Sequence, residues 1–157
     1  MTNSSASQTD RVERQIVLKA PRSRVWRALT NAEEFGTWFG ASLKGQAFAP
    51  GKRATGQMTS CGHEHIKFDA LVVDMKPEHY FSYRWHPYDI DPAVDYSKEE
   101  TTLVEMRLDE IDGGTLLKVV ESGFDKVPAE RRALAFQSHG EGWEIQLGNV
   151  AKYVDHE

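Results

Sequence analysis

The stretch that decides the fold is SHGEGWEIQLGNVAKYV, residues 138–154. Together with Phe136, its apolar residues fall at Trp143, Leu147, Val150 and Val154, with Gly140 between Phe136 and Trp143. The spacings alternate four and three, which is one face of an α-helix. The pattern extends back to about residue 127, where Pro128 suits a first turn and Glu130 complements the positive end of the helix dipole. The helix therefore runs over about 127–156. It carries Gly140, Gly142 and Gly148, although glycine costs ~1 kcal/mol against alanine inside a helix. Gly140 falls on the seam; Gly142 and Gly148 fall off it. Missing side chains on a buried face leave either unfilled volume or a close helix–sheet approach. The first reading predicts a ligand cavity.

Upstream of this helix the sequence reads as strands. RVERQIVLKA (11–20) alternates, with Ile16 and Leu18 on one face. Pro21 opens a short helix containing Val25 and Leu29, and Thr30 and Glu33 have the spacing of a capping box for a second. Gly36 and Gly40 end or bend that second helix, where Phe35, Trp38 and Phe39 cluster as core or as the mouth of a pocket. Residues 41–122 then give successive strands separated by Pro50-Gly51, SCGHE, KPEH, a long acidic loop and DGG. In the last strand Lys118 faces water, so Leu117, Val119 and Glu121 face inward. The order is strand, two short helices, about six strands and one long helix, a sheet of about six to seven strands in all. The expected fold is α+β, a curved antiparallel sheet wrapped around the C-terminal helix.

With 157 residues, 39% hydrophobic and 27% charged, the chain suits one globular domain over 11–157, preceded by a polar, disordered lead over 1–10. A net charge of −5 with dispersed basic residues points away from nucleic acid and from anionic membrane surfaces. No apolar run approaches the ~20 residues of a membrane span. The first residues lack the features of a signal peptide. The single Cys61 excludes an intrachain disulfide, so a cytoplasmic location is expected.

Glu121 is the most informative polar residue. An inward carboxylate must be paired, hydrogen-bonded or protonated. His139 lies one turn before Trp143 on the helix and is its natural partner, as a structural anchor or for proton transfer. Cys61, His63 and His65 are close enough to suggest a metal, but the intervening Gly62 breaks their alternation and no metal is expected. In YFSYRWHP (80–87) one parity turns Phe81, Tyr83 and Trp85 inward. The other turns Tyr80, Ser82, Arg84 and His86 inward, with Arg84 as a partner for a carboxylate. The acids of 89–100 do not match a calcium loop.

Three stretches in this order, APRSRVWRALTNAEEFGTWFG, GGTLLKVVESGF and HGEGWEIQLGNVAKYV, resemble the START-like, or SRPBCC, helix-grip superfamily. They are most similar to its branch of activators of heat-shock-protein ATPase and their homologues. The resemblance implies a largely apolar pocket between the long helix and the sheet. It implies no shared catalytic set, because the superfamily includes carriers, receptors and cyclases. The eukaryotic co-chaperones of the branch carry a second, chaperone-binding domain for which this chain leaves no room, so a heat-shock-protein partner is not expected. A homodimer is compatible with the sequence.

The leading expectation is a binding protein for an apolar or aromatic small molecule. Its expected lining is Trp38, Phe39, Phe68, Tyr83, Trp85, Met106, Phe136, Gly140 and Trp143, with Glu121 and His139 as polar anchors. No cofactor is expected. The alternatives are a cyclase- or hydrolase-like enzyme using Glu121 and His139, and a co-chaperone-like interaction module.

Overall fold

The computed structural model describes residues 10–59, 67–86 and 100–155. Strand β1 (Arg11–Leu18) leads into helices α1 (Arg22–Thr30) and α2 (Ala32–Phe39). Strands β2 (Arg53–Gln57), β3 (Lys67–Lys76), β4 (Tyr80–Trp85), β5 (Thr102–Ile111) and β6 (Gly114–Ser122) come next. A 3-10 turn, Phe124–Lys126, then opens the last helix, α3 (Ala129–Asp155). Residues 1–9 of the expected 1–10 lead, the Cys61/His63/His65 group and the acidic loop up to Glu99 lie outside the described residues. No described helix is long and apolar enough to cross a membrane.

The strands form one antiparallel sheet in the order β1-β6-β5-β4-β3-β2. Strands β2 to β6 meander, and β1 closes on the far edge against β6. Alternation sets the faces as expected: Leu117, Val119 and Glu121 are buried and Lys118 is exposed. In β4, Phe81 and Tyr83 are buried and Arg84 is exposed, so the aromatic parity holds. Arg84 reaches Thr101, not Glu121. Helix α3 packs against β1, α1 and α2 and buries Ala135, Gly140, Trp143, Leu147, Val150 and Val154. Phe136 is only half-buried, its ring edge-on to Phe124 at 5.7 Å.

Local chemistry shifts two expected boundaries. Pro21 is the cap of α1 rather than its first turn. The cap of α2 is Asn31, whose side chain accepts the Glu34 N–H, while Thr30 closes α1 and donates to the Trp26 carbonyl. Gly40 ends α2 in the left-handed conformation, at φ 94°. Gly36 stays inside the helix, because a Cβ there would strike the Ala41 carbonyl of the chain turning back beneath it.

Phe35 is the hub of the aromatic core. Its ring stacks on Phe39 at 4.9 Å and meets Trp38, Phe48 and Phe68 at 4.8, 5.4 and 5.6 Å. Three helices are tied together outside this core by Glu34. It accepts from Arg24 on α1 at 2.8 Å, from Arg27 at 2.9 Å and from Tyr153 on α3 at 3.1 Å.

Candidate functional site

The site is built on Glu121. The β6 parity turns it inward, and the sheet register sets it in one row with Val104 and Tyr83 on β5 and β4. Two residues along on the same inner faces stand Thr102 and Trp85, which are paired with each other. From the opposite side α3 presents His139 and Trp143, one turn apart. The carboxylate is fully buried and receives four donors, two on each oxygen. Oε2 accepts from Trp85 Nε1 at 2.7 Å and from Thr102 Oγ1. Oε1 accepts from Trp143 Nε1 at 2.8 Å and lies 2.6 Å from His139 Nδ1.

Burial by itself pushes this carboxyl upward. The charge and hydrogen bond of His139, with the bonds from Thr102 and Trp85, outweigh burial and hold it below its ordinary value. Glu121 is thus an ion and can only accept, so Nδ1 of His139 carries the hydrogen. Glu121 also fixes both indole rings, whose centroids stand 6.0 Å apart. With every favoured lone-pair direction occupied, it is suited to orienting His139 and the two tryptophans rather than to taking up a proton itself.

Outside this cluster lies a cleft of about 280 Å³. Its wall is Phe39, Met58, Trp85, Ser138, His139, Gly142, Trp143 and Gln146. Gln146 Nε2 donates to the Phe39 carbonyl at 2.9 Å and ties α3 to the end of α2. Met58 arrives because Ala41, just past the Gly40 turn, bridges to it. A second described cleft is polar. It lies about Asp74, Lys76, His79, Tyr80 and Arg107 and shares no residue with the first. Among the described residues no group of histidine, cysteine and acidic side chains could hold a metal.

Of the residues expected to line a cavity, the fold brings Phe39, Trp85, His139 and Trp143 to the cleft wall. Trp38, Phe68, Tyr83 and Met106 are core residues behind it, and Trp38 spends its Nε1–H on the Ala28 carbonyl. Phe136 packs on Phe124 instead. Gly140 is a correction. It opens no ligand volume, because Arg14 of β1 fills the space, and a Cβ there would lie 2.9 Å from its Nη2. Nε of the same guanidinium donates to Glu144 at 3.1 Å. The cleft residues that sequence reasoning misses are Met58, Ser138, Gly142 and Gln146. Ser138, Gly142 and Gln146 repeat every four residues beside the apolar seam, which is a readable signal. Met58 has none, since its place depends on the bridge to Ala41.

Residues 19–155 match the family described as activator of Hsp90 ATPase homolog 1-like protein. The chain belongs to this family. Comparison with curated proteins gives no match. Among solved structures, this family member is similar to DynU16, a protein of the dynemicin biosynthetic locus. The two are 22% identical with a TM-score of 0.69, over 93% of this chain and 47% of that one. This chain therefore spans just under half of DynU16. Protein MLL2253 from Mesorhizobium loti is 25% identical with a TM-score of 0.71, over 93% and 97% of the two chains. The Aha1 protein from Colwellia psychrerythraea, solved as a dimer in solution, is 16% identical with a TM-score of 0.65, over 92% and 96%. These likenesses agree with the helix-grip architecture, a curved antiparallel sheet with a long C-terminal helix.

Proposed function

We propose that this protein binds a small apolar or aromatic molecule in the cleft between α3 and the end of α2. The observation that carries the reading is the composition of the wall. Phe39, Met58, Trp85 and Trp143 give it an apolar surface, and Ser138, His139 and Gln146 supply a few polar groups at fixed positions. That combination is typical of ligand sites. A volume of about 280 Å³ is at the small end of such sites, so the ligand is a compact molecule rather than a long lipid chain. The hydrogen bonds from Trp85 and Trp143 to Glu121 support the same reading, because they preorganise two wall residues before any ligand arrives.

The test is a thermal-shift and tryptophan-fluorescence titration with 2-naphthol and n-decanol as aromatic and aliphatic probes. Native mass spectrometry of protein purified from its own host accompanies it. The expected outcome is a saturable rise in melting temperature for at least one probe, with a change in tryptophan emission at the same midpoint. A flat thermal response to both probes, together with no co-purifying molecule, would sink the reading. Any compound that binds is then assayed for turnover in wild type and in Glu121→Gln. Sedimentation velocity on the same preparation compares its assembly with that of the dimeric Colwellia protein.

A further inference from the structure

Helix α3 holds three glycines in its interior, and the fold accounts for only one of them. Gly140 admits the Arg14 side chain. At Gly142 and Gly148, apart from the adjoining residues and the helix's own backbone, no described atom lies within 4 Å of where a Cβ would stand, so packing against other elements does not require either. Both are half-buried, and each disfavours the helix relative to alanine. They differ in one respect: Gly142 is on the cleft wall and Gly148 is not.

Gly142 sits midway between two tethers. One turn before it, His139 is held to Glu121 at 2.6 Å; one turn after it, Gln146 is held to the Phe39 carbonyl at 2.9 Å. These bonds fix the helix edge at both ends of the cleft and leave bare backbone in the middle. Trp143, the next residue, and Trp85 stand beside that gap. From this juxtaposition we propose that Gly142 is a specificity-determining position, where a flat ring of the ligand lies directly against the backbone of α3. The inference rests on the binding role proposed for the cleft and narrows its ligand to planar, ring-bearing molecules. A side chain at 142 would stand where that ring lies. At 148 it would enter open solvent-facing space.

The experiment compares wild type, Gly142→Ala and Gly148→Ala by melting temperature and by calorimetric titration with 2-naphthol. Both variants are expected to melt higher than wild type, by roughly 2–4 °C for a domain of this size. Gly142→Ala is expected to bind 2-naphthol about tenfold more weakly, the scale on which one added carbon in a fitted pocket is felt. Gly148→Ala is expected to bind as wild type does. If wild type binds and Gly142→Ala binds equally well, the role of Gly142 is overturned and the cleft reading stands. If wild type shows no saturable binding of 2-naphthol, the ring inference falls, and the cleft reading falls with it only when n-decanol also gives no thermal response and no molecule co-purifies. A melting temperature lowered by Gly142→Ala would show a structural need for glycine and would also overturn the inference. Gly142→Ser repeats the binding comparison with a second small side chain.

Discussion

At the scale of single residues, the buried carboxylate of Glu121 has the largest consequences. Its four donors leave no room for a substitute of different hydrogen-bonding character. Glu121→Gln turns an amide N–H₂ toward groups that also donate and leaves His139 without its carboxylate acceptor. It should cost about 3 kcal/mol of stability, read from the midpoint of urea unfolding. Trp143→Phe keeps a ring in the wall and removes one donor to the carboxylate, so it should cost about 1–2 kcal/mol. Tyr83 behaves in the opposite sense. Its hydroxyl is buried without a hydrogen-bond partner among the described residues, and burial and the Glu121 charge push its ionisation well upward. Tyr83→Phe should therefore raise stability by about 1 kcal/mol. A lowered midpoint would show that the hydroxyl is satisfied in solution. Glu121 and His139 are both legible in the sequence, because strand parity and helix spacing point them toward each other. The two indole donors on the carboxylate are not, because Trp85 is 36 residues away in sequence from Glu121.

At the scale of elements, α2 owes its interior glycine to the chain on its C-terminal side. Gly36 lies where composition suggests a bend, yet the helix continues to Phe39. The reason is tertiary. The chain leaves Gly40 in a left-handed turn and doubles back, so the Ala41 carbonyl occupies the position of a Cβ at 36. Gly36→Ala should cost about 2–3 kcal/mol despite its better helix propensity, measured by chemical denaturation. Gly140→Ala should be close to neutral, because the atom it meets is the far end of the flexible Arg14 side chain. The amphipathic period of α3 is plain in the sequence, and so is the alternation of β6. The cap of α2 lies one residue beyond its expected place, since Thr30 and Asn31 are both competent caps and only the backbone geometry selects between them.

At the scale of the whole molecule, the buried Glu121 carboxylate gives stability a dependence on pH. The Glu121 carboxyl is lowered in the folded protein from its ordinary value of 4.5. The unfolded chain therefore takes up its proton first as pH falls. The stabilisation is complete above 4.5 and is lost as pH drops through the lower folded value. Wild type should thus lose more stability than Glu121→Gln between about pH 6 and pH 3, tracked by urea midpoints across that range. Equal acid losses in the two proteins would mean that other carboxyls govern acid unfolding.

The sequence by itself determined the strand and helix order, the inward face of β6 and the seam of α3. It also turned Glu121 inward and set His139 one turn before Trp143 on the helix. These are local properties, because side-chain direction repeats with period two in a strand and 3.6 in a helix, whatever the element packs against. Only the tertiary structure decided which glycine is filled and which is open. The volume beside a helix belongs to the neighbours that reach into it. Arg14 from β1 reaches Gly140, and no described atom reaches Gly142.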